Sequence, residues 1–300
     1  MKRNEIIKIL LLMFLFLAPP KAKAAQAGDT ICKNDRCELK ILSWNIFGLP
    51  TYISPKGLAV RSKYIAEYLR DADFDIVIFQ EAFTSKSRGI IREILRDSFP
   101  YEIGPANEKT FGLRLNSGLW IISKVPLTFI SEIQFSYSSG FDMFSRKGAI
   151  MVEGIHNGTI FQLVGTHLNS GNPQKTRDVQ YQEMVTKLLE PNKKEDIPQI
   201  ICGDFNTNKH DKASYSKMID ILNVPDYEMG GACLFSYDGL NNDLTEKKFT
   251  GQDIIDYIFV RPNGLNTQKI DRSIHPVSHP WSSRHKDLSD HYAVAASIEF

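Results

Sequence analysis

The chain has 300 residues, of which 42% are hydrophobic and 24% charged. That balance excludes a disordered chain, which lacks the apolar side chains to offset ordering entropy. Thirty-six basic against thirty-five acidic residues leave a net charge of +1, without the basic excess that marks many nucleic-acid binders.

The N-terminus reads as a secretory signal peptide. Lys2, Arg3 and Lys8 precede an apolar run over residues 9–18, then Pro19-Pro20 and the small-residue segment Ala22-Lys23-Ala24. The run is shorter than the ~20 apolar residues of a membrane span. Cleavage is expected after Ala24, with Ala27 as the second choice. Residues 25–300 then carry 31 basic and 34 acidic side chains, a net −3. Residues 25–38 read as an N-terminal extension, and residues 39–300 as a single domain. Cys32 and Cys37 could close a small disulfide loop in an oxidising compartment. Cys202 follows an apolar run and reads as a buried free thiol. Four cysteines, Cys233 included, permit three full pairings, and the spacing does not choose among them.

No linker or low-complexity tract interrupts the rest. Residues 39–44 read as a strand, 60–70 as a helix by the spacing of Val60, Tyr64, Ile65, Tyr68 and Leu69, and 76–79 as a buried strand. Residues 89–95 are helical. Strands follow over 119–122, 127–133, 148–152 and 160–166, then a helix over 176–189. A strand over 199–203, a helix over 215–222 and strands over 254–260, 269–274 and 293–298 complete the chain. Strands outnumber helices and do not alternate with them strictly. The pattern predicts an α/β fold with two packed sheets and helices on their outer faces.

Polar residues gather where these strands end. Asn45 closes the first, Glu81 follows the second, and His167 ends the strand over 160–166. Asp204 and Asn206 follow the strand over 199–203, Asp256 lies in the strand over 254–260, and Asp290 and His291 precede the last. Taken singly, each is an ordinary loop or cap residue. His156, His210, His275, His279 and His285 are assigned no role. The set in order has a definite chemistry. Glu81 and Asn45 are hard oxygen donors of the kind Mg²⁺ takes, often together with substrate phosphate. A bound cation would polarise a phosphoryl oxygen. His291, with an ordinary pKa near ~6.5, could take the proton of an attacking water. Asp256 is the candidate partner that fixes its tautomer. Asn206 and His167 can donate to phosphate oxygens, and Asp204 could orient water or protonate the leaving oxygen.

The motifs Ser43-Trp44-Asn45, Gln80-Glu81, 165–168 (GTHL), 203–206 (GDFN), 256–259 (DYIF) and Ser289-Asp290-His291 together resemble the endonuclease/exonuclease/phosphatase superfamily of deoxyribonuclease-like phosphoesterases. The resemblance spans nearly all of the chain after the signal peptide. It implies a four-layered αββα sandwich, a magnesium site (other divalent ions being possible) and phosphate-ester hydrolysis. Residues 116–126, Ser145-Arg146-Lys147-Gly148 and 289–292 are most similar to bacterial neutral sphingomyelinase C. Carried over, Asn45, Glu81 and Asp290 belong to the metal site, Lys147, His167 and Asn206 contact phosphate, and His291 is the base.

Two segments depart from that pattern. Residues 280–286 are short where bacterial sphingomyelinases carry an aromatic-tipped hairpin, and Trp281 is their only aromatic. Phe83-Thr84-Ser85 lacks the donors of a second, peripheral metal. An aromatic-rich stretch holds Phe135, Tyr137, Phe141, Met143 and Phe144, either as a self-packed loop or as a lipid contact. The resulting expectation is a secreted or periplasmic, monomeric, Mg²⁺-dependent phosphodiesterase. It cleaves sphingomyelin at a membrane surface, with transient membrane contact. The alternative is a secreted nuclease acting on nucleic acid. An inositol-phosphate phosphatase fits less well, because its Trp-x-Asp-Arg motif is missing around Asp256. A non-catalytic binding module would require a decayed site, and every expected ligand and base is present.

Overall fold

Period-two alternation along the strands sets the layers. A computed structural model describes residues 38–109, 114–171, 174–226, 228–265 and 269–300. The expected signal peptide and the Cys32 and Cys37 pair lie outside the described residues.

In chain order the elements are β1 (Glu38–Asn45), α1 (Leu58–Asp71), β2 (Ile76–Gln80), α2 (Ser85–Leu95), β3 (Tyr101–Ile103), β4 (Trp120–Ser123) and β5 (Leu127–Gln134). A 3₁₀ turn (Gly140–Phe144) leads to β6 (Gly148–His156) and β7 (Thr159–His167). Then come α3 (Gln174–Met184), β8 (Gln199–Asp204), α4 (Lys212–Leu222), β9 (Tyr237–Asp238), β10 (Gln252–Asp253), β11 (Asp256–Arg261), β12 (Lys269–His275) and β13 (Ala293–Glu299). One sheet runs β12-β13-β1-β2-β4-β3 and the other β11-β8-β7-β6-β5, each mixed. β9 and β10 form a separate two-stranded pair.

Alternate residues of each strand face opposite layers. Leu39 and Ile41 of β1, Ile76 and Ile78 of β2, Ile200 and Cys202 of β8, and Ile258 and Val260 of β11 pack in the core between the sheets. Leu42, Trp44, Val77 and Phe79 point the other way, onto Ile65 and Leu69 of α1 and Ile91 and Leu95 of α2. Ile201, Tyr257 and Phe259 likewise pack on Tyr181 and Met184 of α3 and Met218 and Leu222 of α4. The result is the expected four-layered αββα sandwich. Each helix buries one stripe: in α1, Leu58, Ser62, Ile65, Ala66 and Leu69 recur at helical spacing.

Several boundaries differ from the periodicity. The helix expected from residue 89 starts at Ser85, because Thr84 Oγ1 accepts the Ser87 N–H at 3.2 Å and caps it. The helix expected over 176–189 is α3 followed by a π-helical turn over Val185–Leu189. β11 begins at Asp256, not 254, because the carbonyls of Ile254 and Ile255 accept from Lys209 and Phe205 in the loop after β8. β3, β9 and β10 were not expected; they are two or three residues long, too short to show a period. Cys202 is a buried free thiol, as its apolar run suggested, and Cys233 is also free.

Candidate active site

The same alternation that builds the central core aims the site. Continuing the inward positions of β1 reaches Asn45, those of β8 reach Asp204, those of β7 reach His167, and those of β11 reach Asp256. Register completes the row: His167 is the partner of Asp204 across β7 and β8, and Asp204 the partner of Asp256 across β8 and β11. All four side chains are buried where the inter-sheet core opens.

Glu81 breaks the rule. By parity it would follow Val77 and Phe79 onto the helix-covered face. Its backbone instead has φ 56°, a left-handed conformation uncommon for a residue with a side chain. The turn re-aims the carboxylate inward, where Oε1 accepts from Asn45 Nδ2 at 3.4 Å. A Cβ on Gly48 would stand 2.3 Å from the Glu81 carbonyl oxygen, and one on Gly118 2.9 Å from its Cα. The two glycines leave room for this turn. Asn206 is also left-handed, at φ 50°.

The two sheets meet through side chains. Asn45 Nδ2 donates to Asp204 Oδ2 at 3.1 Å. Asp204 Oδ2 lies 3.3 Å from His167 Nε2 and 3.8 Å from His291 Nε2. His291 Nδ1 and Asp256 Oδ2 are 2.9 Å apart. The geometry fits Nδ1–H donating to the carboxylate, with Nε2 facing Asp204. Asn206 donates its backbone N–H to Asp204 Oδ1 at 2.9 Å and Nδ2 to the Leu168 carbonyl at 3.1 Å. Lys147 is buried, and Nζ stands 2.8 Å from Asp142 Oδ1, 2.9 Å from His167 Nε2 and 2.8 Å from the Leu168 carbonyl. Its three donors are therefore committed within the chain.

Burial and neighbouring charge set the protonation. Burial disfavours the His291 imidazolium, but Asp256 and Asp204 outweigh it and raise the pKa well above the ordinary value. Burial pushes the Asp204 carboxyl up, yet His291 and His167 win, and it stays ionised well below the carboxylate range. Burial raises Asp256 to about 6, against the pull of His291. Glu81 and Asp290 are also raised by burial.

Among the described residues, Asp204, Asp256 and His291 place one donor atom each within 4.8 Å of one another and could hold a metal ion. Asn45 and Glu81 form the neighbouring oxygen set. Glu81 Oε2 is buried without a hydrogen-bond partner, which costs free energy unless something positive faces it. Asn45 Oδ1 accepts the Phe47 N–H at 3.1 Å and keeps a second lone pair to offer an ion. Hard oxygen donors beside a bare carboxylate oxygen fit magnesium better than the three-residue group, whose imidazole is already paired with Asp256. Asp290 Oδ1 lies 3.3 Å from Ser289 Oγ, and among the described residues no direct bond joins it to Asn45 or Glu81.

A family model described as the Endonuclease/Exonuclease/phosphatase family matches residues 42–291. The chain belongs to that family. It is also similar to Sphingomyelinase C 2 of Leptospira interrogans, at 29% identity over 74% of the chain, spanning only 39% of that relative. A Phospholipase C of Staphylococcus aureus is 26% identical, with 98% of each chain covered. In shape, the chain is similar to a double mutant of the Staphylococcus aureus beta toxin solved with bound magnesium ions. That match has a TM-score of 0.78 at 24% identity, covering 86% of this chain and 99% of the other. Family membership and these relatives make the chain a phosphodiester hydrolase.

Several residues that support this hydrolase site were given no role by its motifs. Arg61 of α1 is buried and donates to the carbonyls of Ile46, Phe47, Lys56 and Leu288 at 2.7–2.8 Å. It ties the segment after Asn45 to the segment before Asp290. Burial lowers its pKa only to about 10, so it stays charged. Ser289 Oγ donates to the Asn45 carbonyl at 2.6 Å, and Ser236 Oγ accepts the backbone N–H of Asp256 at 3.1 Å. Asp142 is the partner of Lys147. The signal for Ser289 was its place inside a motif; the other three gave none.

The departures noted in the sequence have structural roles. Trp281 donates Nε1–H to the Asp287 carbonyl at 2.8 Å and stacks on His285. Thr84 is a helix cap.

Proposed function

We propose that this chain is an exported, monomeric, magnesium-dependent phosphodiesterase that hydrolyses sphingomyelin to ceramide and phosphocholine. The observation that carries the reading is the convergence of Asn45, Glu81, His167, Asp204, Asp256 and His291 into one buried cluster spanning both sheets. The sphingomyelinase C and phospholipase C relatives support the lipid substrate, and the charged, then apolar, N-terminus supports export.

Asn45 and Glu81, with Asp290 nearby, would hold magnesium, which when bound would supply polarisation of a phosphoryl oxygen and charge neutralisation at the leaving oxygen. The remaining work falls to the chain. His291 Nε2, with Nδ1 anchored on Asp256, takes the proton of the attacking water. Asp204 stays ionised and orients that water from the opposite side of the imidazole. Asn206 and His167 hold phosphate oxygens. Lys147 joins them once substrate displaces one of its three partners.

A panel of sphingomyelin, phosphatidylcholine and plasmid DNA, each with magnesium or chelator, tests the proposal. Phosphocholine release from sphingomyelin in magnesium alone is expected. Plasmid nicking without lipid turnover would replace this reading with the nuclease.

A further inference from the structure

Resting on the lipid reading above, we propose that the turn over Gly140–Phe144 and the residues beside it form the surface by which this protein docks on a phospholipid bilayer. The stretch holds Phe135, Tyr137, Phe141, Met143 and Phe144, and the structure divides them. Phe135 is buried. Tyr137 is 59%, Phe141 91%, Met143 52% and Phe144 60% exposed, and Phe141 is the most exposed large apolar side chain among the described residues. The turn therefore does not pack its own cluster. Four large apolar groups within eight residues leave an apolar surface in water, which a binding partner would remove.

Two further observations name that partner. The first is position. Asp142 lies in the same turn but faces inward: Oδ1 is 2.8 Å from Lys147 Nζ, and Oδ2 accepts from Ser170 N–H and Oγ–H. Lys147 in turn touches His167, which touches Asp204. The apolar tips thus stand on the rim of the phosphodiester site, two residues from its reacting groups. The second is charge. Asp142 is spent on Lys147, and the cation at the base of the turn is the exposed Arg114, which donates to the Ser145 carbonyl at 2.8 Å. Apolar tips with a guanidinium behind them match acyl chains below a layer of phosphates. With a net charge of −3 over residues 25–300, burial of the tips rather than long-range attraction drives docking. A zwitterionic bilayer suffices, and added salt weakens binding little.

The test compares the full-length protein with F141S/F144S. Co-sedimentation with phosphatidylcholine vesicles at low and high salt reads docking. Hydrolysis of a soluble chromogenic phosphocholine ester reads the site alone. The wild type should bind vesicles at both salt concentrations. The double variant should bind about a hundredfold more weakly, tenfold for each ring kept from the interface, and hydrolyse the soluble ester as the wild type does. Y137S, with one tip removed, should fall between. Equal vesicle binding by wild type and double variant overturns the proposal, as does a wild type that leaves the vesicles unbound. A wild type that binds phosphatidylcholine vesicles through these residues yet releases no phosphocholine from sphingomyelin vesicles in magnesium supports the docking surface and overturns the sphingomyelin reading instead.

Discussion

His291 and His285 each stand with Nδ1 beside an aspartate, and their surroundings separate them. His291 is 2.9 Å from Asp256, and the aspartate is the first residue of β11, a fully buried strand paired with β8. The imidazole is buried, edge-on to Tyr237 with ring centroids 5.2 Å apart, and Trp44 Nε1–H donates to its backbone carbonyl. His285 is 3.4 Å from Asp243, on loops at a surface where both side chains meet water. Ion pairs in such a setting add little and are screened. What distinguishes a catalytic pair from an incidental one is the scaffold: adjacent strands fix Asp256, Asp204 and His167 at one spacing, whereas two loops fix nothing so closely.

The comparison breaks most readily at the imidazoles themselves. H291A should lose on the order of 10²–10⁴ in kcat; a similar loss in H285A would show that the wrong histidine has been chosen. D256N should fold normally and lose on the order of 10–10² in kcat. It also carries a sign. Asp256 is a main cause of the raised His291 pKa, so removing its charge lowers that pKa. The rising limb of the pH–rate profile, set by His291 becoming neutral, should then move to lower pH even as the plateau falls. An unmoved limb would separate Asp256 from the base. R61K keeps a charge but loses the planar fork that reaches the four carbonyls. It should lower unfolding stability by about 1–3 kcal/mol, measured by denaturant titration, and an unchanged midpoint would remove Arg61 from the positioning role. H285A, the smallest effect, should stay within about twofold of wild type in kcat.

Much of this contrast was legible before any coordinates. The strand-end residues were readable because inward parity carries each inter-sheet strand straight to its polar end, so Asn45, Asp204, His167 and Asp256 follow from where Ile41, Cys202, Leu163 and Ile258 point. Glu81 was readable as a strand-end acid, but not the turn that aims it. Parity puts it on the wrong face, and only the left-handed backbone between Gly48 and Gly118 reverses that. Arg61 sits in an amphipathic helix, where a charge usually means solvent, and the four carbonyls that surround it come from Lys56 just ahead of its helix, from Ile46-Phe47 and from Leu288 at the far end of the chain. Asp142 sits in a loop whose apolar neighbours hide its inward turn. These partners arise from tertiary approach, which no local period encodes.

The central claim is that Asn45 and Glu81 end one sheet as a cation site beside His291, the base just ahead of β13 in the same sheet, which Asp256 of the other sheet anchors. Magnesium titrated into the wild type and into E81Q, followed by calorimetry, addresses it most directly. The wild type should bind the ion saturably, and E81Q should lose most of that heat. Equal heats in both proteins, or binding in neither, would contradict the account.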